Sequence, residues 1–289
     1  MTVETTPAIT TALARRLVDT QFPHWSGLPL TRLDPAGSDH VIHRLGEDLS
    51  VRLPRHSGAI RQAHKEAEWL PRLAPRLPLA VPVLVAVGEP GLGYPWPWAV
   101  SRWLDGEVAT TETLSGSHEA AEALAGFLTA LHGFDAAAPE DLTRAPLAAR
   151  DAATRSAITA AGDEFDTAAM TELWEAALAA PGRDRPPVWC HGDFHTGNLL
   201  TRGGRLSAVI DFGELGVGDP ACDLLIAYTL LSADTRATFR AALAVDEATW
   251  TRGRGWALAT GLNAHVAHAA ANPRVAAQTT RQITQALLG

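Results

Sequence analysis

CHGDFHTGNLLTRGGRLSAVIDFG, residues 190–213, holds the most informative pattern in this chain. A first polar cluster, residues 191–198, fits the pattern H-x-D-x-x-x-x-N, and a second cluster is Asp211-Phe212-Gly213. Between them, the residues Arg-Gly-Gly-Arg at 202–205 suit a tight hairpin that requires positive φ. Such a hairpin is expected to bring Asp211 back alongside Asn198.

The residue types in this segment match the needs of phosphoryl transfer. The first cluster has the spacing of a kinase catalytic loop. The transition state spreads charge over phosphate oxygens, so a metal ion must neutralise it while a carboxylate orients the attacking hydroxyl. We expect Asn198 and Asp211 to be Mg²⁺ ligands, because amide and carboxylate oxygens suit this cation. Asp193 is then free to act as the catalytic base or as the group that positions the hydroxyl.

The residues before this segment predict a sheet and one helix. Residues 37–54 alternate between apolar and polar around a Gly-Glu-Asp turn, which indicates a β-hairpin. Residues 59–70 predict a helix that ends before Pro71. Two further β-rich runs, 81–90 and 98–104, flank a Pro-Gly-Leu-Gly turn.

After residue 106 the composition changes to Ala-rich helix. Apolar residues recur at helical spacing from Leu124 to Leu131 and from Met170 to Leu178. Further helices are predicted at about 222–232, 234–244, 247–270 and 273–288. We therefore expect an α+β protein with a β-rich part, residues 1–103, and a mainly helical part, residues 104–289.

Length and charge narrow the possible functions. A chain of 289 residues can form two packed parts, and 46% hydrophobic residues is an ordinary globular composition. The net charge of -8 disfavours a nucleic-acid partner, since phosphate binding requires a basic face. Residues 104–289 carry 13 basic and 23 acidic side chains. This acidic part could attract a cationic molecule, although it could equally be a surface that promotes solubility.

The sequence also bears on compartment and assembly. The N-terminus lacks the order of a signal peptide and no apolar run has the length of a membrane span, so we expect a cytoplasmic protein without a membrane partner. Cys190 and Cys222 are expected to be buried free thiols, with one disulfide as the alternative. The oligomeric state is open between a monomer and a homodimer.

Two stretches, CHGDFHTGNLL at 190–200 and VIDFGELGVGDPACDLL at 209–225, resemble the aminoglycoside phosphotransferase family. This family is related to choline kinases and, more distantly, to protein kinases. The resemblance spans nearly the whole chain. It implies a two-lobed protein-kinase-like fold, with a small β-rich N-lobe, a larger helical C-lobe, and ATP or GTP between them. By the same resemblance Asp193 matches the catalytic aspartate, Asn198 and Asp211 match the magnesium ligands, and His191 would brace the loop.

The resemblance places the phosphate-binding residue on the third strand, with one departure. The family usually has a lysine there, but the only lysine of this chain is Lys65, inside the predicted helix, and Arg52 occupies the matching position. An arginine can neutralise phosphate, although its planar fork differs from an ammonium group. Glu66 would be its helix partner and Glu68 is the alternative, while both could instead belong to a solvated helix face.

Other nucleotide contacts follow from the resemblance. The phosphate-covering loop would be residues 37–40, where the backbone N–H groups of Ser38 and Asp39 could contact phosphate, although an ordinary hairpin lead-in would look the same. The base would rest against residues 100–103. Ser101 and Trp103 are the candidate contacts there.

Four further polar residues lie near the catalytic segment. Asp219 and Asp223 match family positions, and we interpret them as caps of a helix that begins near Ala221. Glu214 and His195 are candidate substrate contacts, because they lie in or just after the segment that carries the chemistry.

Three functions are compatible with these residues. The leading hypothesis is an ATP- or GTP-dependent O-phosphotransferase for a hydroxyl of a small cationic molecule. An aminoglycoside antibiotic is the first candidate, and a macrolide or another small metabolite is the alternative. The missing strand lysine and the glycine-poor loop also suit a nucleotide-binding pseudokinase. A hydrolase that binds a transition metal through His191, Asp193 and His195 is the third, but it leaves Asn198 and Asp211 unexplained.

Overall fold

The computed structural model describes residues 8–33, 39–136, 139–182 and 184–289. They form two compact units. The first contains the described residues within 1–76, 80–105 and 208–213, and the second contains those within 77–79, 106–207 and 214–289. Residues 208–213, which include Asp211, therefore group with the first unit.

The first unit contains a five-stranded antiparallel sheet with the strand order β1-β2-β3-β5-β4. Its strands are β1 (Leu30–Arg32), β2 (His40–Leu45), β3 (Leu49–Pro54), β4 (Leu84–Gly88) and β5 (Trp98–Arg102). The predicted hairpin is confirmed, with Leu45 opposite Leu49 and Gly46 at a φ of 62° in the turn. Positive φ in this turn explains why a glycine stands there.

Helix α1 (Thr11–Gln21) packs against one face of this sheet. Its Leu17 and Val18 share a core with Val51 and Leu53 of β3. Side chains alternate along a strand, so Arg52 lies on the opposite face. Neither α1 nor the short β1 was predicted from the sequence.

Helix α2 (Gly58–Leu73) continues past Pro71. The prediction that this helix ends before the proline was wrong. Pro71 lies in the last turn, where it removes only one backbone hydrogen bond. Leu70 and Leu73 of this turn are buried and hold it against the unit.

The second unit is mainly helical. Its helices are α3 (Thr111–Leu114), α4 (His118–His132), α5 (Asp151–Ala161), α6 (Thr167–Ala179), α7 (Ile226–Thr229), α8 (Ala233–Leu243), α9 (Glu247–His268) and α10 (Pro273–Leu288). The predictions of α4, α6, α8, α9 and α10 are confirmed, whereas α3 and α5 were not predicted. The helix predicted at 222–232 is instead a 3₁₀ segment, Pro220–Leu225, followed by the single-turn α7.

Five short strands complete the chain: β6 (Glu107–Val108), β7 (Val188–Cys190), β8 (Leu199–Arg202), β9 (Arg205–Val209) and β10 (Gly216–Gly218). β6, β8 and β9 form one sheet, and β7 pairs with β10 in a ribbon. The predicted hairpin between β8 and β9 is confirmed, with Gly203 and Gly204 at φ values of 59° and 75°. The β7–β10 ribbon was not predicted.

The sheet in the first unit and the helices in the second confirm the α+β class. Cys190 and Cys222 are buried free thiols, as expected. Among the described helices, none has both the length and the apolar character required to cross a membrane.

Candidate active site

The loop between β7 and β8 carries Asp193. Gly192 precedes it at a φ of 83°, a conformation that favours glycine. A 3₁₀ turn, Thr196–Asn198, closes the loop, and the Asn198 N–H donates to the His195 carbonyl at 3.0 Å. The chain then enters β8. This tight path places several polar side chains around one carboxylate.

Two neighbours hold the Asp193 side chain. Asn198 Nδ2 donates to the Asp193 carbonyl at 2.9 Å and to Asp193 Oδ2 at 3.1 Å. His195 Nε2 lies 3.4 Å from the same Oδ2. His195 Nδ1 accepts the Gly197 N–H at 3.0 Å, so the hydrogen of the neutral ring is on Nε2, facing the carboxylate.

This environment keeps Asp193 ionised at neutral pH. Burial alone would raise the pKa of Asp193, but hydrogen bonds from His195 and Asn198 and the charges of His195 and His191 lower it to about 2. The side chain nevertheless remains 44% exposed. An ionised, reachable carboxylate suits a group that receives a hydrogen bond from a substrate hydroxyl.

Asn198 presents an oxygen that fits a hard cation. Both hydrogens of its Nδ2 are directed at Asp193, and no donor in the described part of the chain reaches its Oδ1. The residue is only 7% exposed. An amide oxygen that no protein donor occupies can bind a cation, and Mg²⁺ prefers such oxygen ligands.

Asp223 binds the backbone at the start of the loop that carries Asp193. It is fully buried, and its two carboxylate oxygens accept the N–H groups of His191 at 3.0 Å and Gly192 at 2.8 Å. His132 Nε2 lies 3.2 Å from Asp223 Oδ2, and His191 Nδ1 accepts the Asp193 N–H at 3.3 Å. Burial alone would raise the pKa of Asp223, but His132, His191 and the Gly192 amide lower it. The ionised Asp223 thus anchors the backbone that leads to Asp193.

The interpretation of Asp223 as a helix cap was therefore wrong, whereas that of Asp219 is confirmed. Asp219 Oδ1 accepts the Ala221 N–H at 3.1 Å at the start of the 3₁₀ segment. Its carboxylate also pairs with Arg252 at 2.6 Å. In the sequence both acids stand at the same predicted helix start, but in the structure only the Asp219 side chain turns toward it.

Three possible metal ligands lie together near this loop, but their hydrogen bonds explain the cluster. One nitrogen of His132, the sulfur of Cys190 and an oxygen of Asp223 lie within 4.8 Å of one another. Both Asp223 oxygens already accept N–H groups, and Cys190 Sγ is directed at the carbonyls of Val188 and Asp219. Hydrogen bonding accounts for this cluster.

In the first unit, β3 and α2 bring Arg52 and Glu66 together. Arg52 Nη1 donates to Glu66 Oε2 at 2.6 Å, and the two side chains are 14% and 9% exposed. Glu68, the alternative partner, lies on the outer face of the helix, 3.8 Å from Arg72. The structure thus selects Glu66.

Arg52 is charged, and some of its N–H groups have no acceptor among the described residues. Burial alone would lower the pKa of Arg52, but the charges of Glu66 and Asp211 outweigh it and raise the pKa. Its nitrogens other than Nη1 donate no hydrogen bond to any described residue. These N–H groups remain available for an anionic ligand.

Helix α2 also holds the second polar cluster. The Phe212 N–H donates to Glu66 Oε1 at 3.1 Å, and Lys65 Nζ donates to the Gly213 carbonyl at 2.8 Å. Asp211 has a φ of 65°, an uncommon conformation for a residue other than glycine. Its carboxylate accepts no hydrogen bond from the described residues, as expected of a ligand for a cation. The sequence shows Lys65 only as a lysine inside the predicted helix, and its hydrogen bond to the Gly213 carbonyl was not predicted.

The residues predicted to contact the nucleotide base lie at the end of β5 and just after it. Ser101 lies opposite Ser50 in the sheet, which places it on the same face as Arg52. The Trp103 N–H donates to the Asp48 carbonyl at 2.7 Å. This hydrogen bond joins the end of β5 to the β2–β3 turn.

The remaining predicted residues are placed as follows. Ser38 lies outside the described residues. Asp39, which follows it, accepts a hydrogen bond from Gln62 Nε2 at 2.9 Å. The Glu214 side chain is 59% exposed and lies 3.7 Å from Arg144. Arg144 had not been singled out from the sequence.

A cavity of about 290 Å³ in the first unit includes Arg102 of the stretch predicted to contact the nucleotide base, residues 100–103, and none of the other predicted contacts. It is lined by residues that include Trp25, Leu45, Leu49 and Arg102. Leu49 pairs with Arg102 across β3 and β5, so the cavity opens on the sheet face opposite Arg52. The cavity therefore lies on the other side of the sheet from Arg52 and Ser101.

The model of the phosphotransferase enzyme family matches residues 31–286 of this sequence. The chain belongs to this family. The phosphotransferase is thus a small-molecule kinase, in agreement with the prediction from the catalytic segment. Among curated proteins, no match to its sequence was found.

Solved structures resemble the phosphotransferase over nearly its whole length. The GDP complex of wild-type aminoglycoside 2'-phosphotransferase-IIIa is 18% identical, with a TM-score of 0.72 over 97% of this chain and 99% of that chain. The streptomycin–ATP–APH(2")-IIa ternary complex is 19% identical, with a TM-score of 0.63 over 96% and 97%. Macrolide 2'-phosphotransferase MphH from Brachybacterium faecium is 26% identical, with a TM-score of 0.62 over 93% and 97%. These similarities confirm the protein-kinase-like fold.

Proposed function

We propose that this phosphotransferase is Mg²⁺-dependent and transfers a phosphoryl group from ATP or GTP to a hydroxyl of a small cationic molecule, with an aminoglycoside as the first candidate. The observation that carries the proposal is the ionised, partly exposed Asp193, held by Asn198 and His195. This carboxylate can orient the attacking hydroxyl and receive its proton.

Asn198 and Asp211 would hold the Mg²⁺ ion. Each offers a side-chain oxygen that no donor in the described residues occupies. When bound, the ion would neutralise charge that develops on the phosphate oxygens. The β8–β9 hairpin connects the two ligands along the chain.

Arg52 would bind a nucleotide phosphate in place of the usual lysine. Its ion pair with Glu66 fixes one nitrogen and leaves the others free to donate. Ser101, on the same face of the sheet, would lie toward the nucleotide base. The Trp103 carbonyl could accept a hydrogen bond from this base. Ser38 would contact a phosphate of the nucleotide. The GDP and ATP complexes of structurally similar phosphotransferases support a nucleotide donor of this kind.

The acceptor would contact Glu214 and His195. Glu214 is exposed and follows Asp211-Phe212-Gly213 directly, while His195 lies beside Asp193. The excess of acidic residues after position 103 favours a cationic acceptor. Identity of 26% to a macrolide 2'-phosphotransferase makes a macrolide the second candidate.

An acceptor panel tests the proposed reaction. The purified protein is incubated with Mg²⁺-ATP or Mg²⁺-GTP and one acceptor at a time, namely an aminoglycoside, a macrolide, choline or homoserine. We expect nucleoside diphosphate release that depends on one class of acceptor, together with one added phosphate on that acceptor in mass spectra. Chelation of Mg²⁺ should stop both signals, because the metal neutralises the transferring phosphoryl group.

The alternatives give different results in the same experiment. A pseudokinase would show nucleotide-dependent thermal stabilisation but no phosphorylated product with any acceptor. A metal-dependent hydrolase would contain stoichiometric Zn²⁺ after purification and would not need nucleotide. Either pattern would contradict phosphoryl transfer.

Replacing Glu66 with glutamine tests whether the Arg52–Glu66 pair takes part in nucleotide binding. The variant keeps the shape of the side chain but removes the charge that holds Arg52, so the nucleotide KM should rise about tenfold. The free energy of unfolding should fall by about 2 kcal/mol, as when a hydrogen bond to a charged group is lost. Glu68→Gln, on the outer face of the same helix, is the matched control and should leave both quantities unchanged. Equal effects of the two variants would mean that Arg52 does not depend on Glu66.

A further inference from the structure

Arg144 lies between α4 and α5 and outside every motif identified in the sequence. Its backbone N–H donates to the Val217 carbonyl at 2.9 Å, which places it beside β10. Its side chain is 13% exposed. A charged side chain is thus largely buried against the β7–β10 ribbon. Strand β7 leads into the first polar cluster, residues 191–198, and β10 follows the second, residues 211–213.

The Arg144 guanidinium joins two backbone carbonyls. Nη2 donates to the Gly192 carbonyl at 3.2 Å, and Nη1 donates to the Glu214 carbonyl. Gly192 directly precedes Asp193, and Glu214 begins the chain that follows Asp211-Phe212-Gly213. One side chain therefore ties the start of the catalytic loop to the segment that leaves the second polar cluster.

Three glycines make room for this side chain. A Cβ at Gly192 would lie 2.1 Å from Arg144 Nη1, one at Gly216 would lie 2.9 Å from Arg144 Cγ, and one at Gly218 would lie 3.0 Å from Arg144 Cβ. None of these distances leaves normal space for a methyl group. The ribbon and the loop therefore leave a channel that fits the arginine.

The contacts to the carbonyls matter more than the ion pair. Arg144 Nη1 lies 3.7 Å from a Glu214 carboxylate oxygen, but the Glu214 side chain is 59% exposed and solvent screens this attraction. Charge-assisted hydrogen bonds in a buried site are stronger. Two carbonyls bound by one planar fork also require an arginine, because a lysine cannot reproduce that geometry.

We propose that Arg144 is a positioning residue of the phosphoryl-transfer centre, which orients Asp193 by holding the Gly192 carbonyl at a fixed place relative to the Glu214 carbonyl. This inference rests on the proposed function. Arg144 acts through the backbone and does not contact the reacting atoms. A displacement of about 1 Å at a catalytic group can reduce the rate about 100-fold, so a loosened loop should lower kcat.

Arg144→Gln is the first test, and Arg252→Gln is its matched control. Arg252 is also a buried arginine of the second unit, but it binds Asp219 and the Pro181 carbonyl instead of the loop. Arg144→Gln should lower kcat about 30- to 100-fold and change each KM less than about threefold. Arg144→Lys should recover part of kcat, whereas Arg252→Gln should lower Tm without a comparable loss of kcat. Equal loss of kcat in the two glutamine variants would overturn the proposal.

Gly218→Ala gives an independent test if Arg144→Gln folds poorly. The three atoms nearest to the new Cβ all belong to Arg144, so this methyl group should displace the arginine and little else. We expect a several-fold loss of kcat in the wild-type background and no further loss in an Arg144→Gly background, which lacks the Cβ that the new methyl group would contact. Additive effects of the two changes would contradict the proposed link.

Hydrogen exchange provides a readout that does not depend on activity. In ligand-free protein, Arg144→Gln should accelerate amide exchange at residues 192–198 about tenfold, while Arg252→Gln should not. Wild-type exchange at these amides in Arg144→Gln would overturn the proposal. If the wild type phosphorylates no acceptor, the proposed function fails, yet exchange still shows whether Arg144 holds the loop.

Discussion

Asp193→Asn should lower kcat by about 10²- to 10⁴-fold, the range typical of a lost general base. Asparagine has nearly the same shape as aspartate but cannot accept the hydroxyl proton. Asp193 is ionised, with a pKa of about 2, so the wild type presents its carboxylate across the neutral range. The loss should therefore be seen in kcat, whereas nucleotide KM and Tm should change little.

Steady-state kinetics with the acceptor found in the panel, together with thermal unfolding, check this expectation. Asp234→Asn is a suitable control, because Asp234 lies in the same unit, is 83% exposed and contacts His118. It should behave as the wild type. If Asp193→Asn kept more than about a tenth of the wild-type kcat, Asp193 would not be the base.

Asp223→Ala should cause the largest loss of stability, about 3 to 5 kcal/mol, which is typical of a broken buried pair. The N–H groups of His191 and Gly192 would lose their acceptor while buried, and His132 would lose its partner. Because these groups hold the loop, phosphoryl transfer should fall as well. Urea unfolding measures the free-energy difference directly.

The stabilisation from Asp223 should depend on pH. Its pKa is lower in the folded protein than the usual value of about 3.9 in an unfolded chain. A lowered pKa means that the stabilising contribution is complete above about pH 4 and is lost as the pH falls through the folded-state pKa. The difference in unfolding free energy between wild type and Asp223→Ala should therefore be constant near neutral pH and shrink in acid.

Asp219→Ala is the matched control for this variant. Asp219 stands four residues earlier, but it caps the 3₁₀ segment and its side chain is 26% exposed. Asp219→Ala should also lower the free energy of unfolding, because it removes the cap and the partner of buried Arg252, but it should have little effect on the catalytic loop. A loss of phosphoryl transfer in Asp219→Ala as large as that in Asp223→Ala would contradict the role assigned to the buried acid.

The local pattern of the chain was sufficient to predict the catalytic hairpin and its polar ends. The glycines at 203 and 204 mark a turn that needs positive φ, and the alternation in β2 and β3 marks one buried face. These features depend on residues that are close in sequence, so the pattern reveals them. The end of α2 was predicted wrongly, because burial of Leu70 and Leu73 outweighs the local effect of Pro71.

Only the tertiary structure distinguished Glu66 from Glu68 as the partner of Arg52, since both belong to one helix and packing decides which side chain faces β3. The tertiary structure also shows that Asp223 accepts the N–H groups of His191 and Gly192. It shows that Arg144 donates to the Gly192 carbonyl, 48 residues away in the chain. In each case a buried polar group must find a partner, and that partner is brought close by the packing of distant elements. The motif therefore identified the chemistry, and the long-range contacts identified the residues that hold it in place.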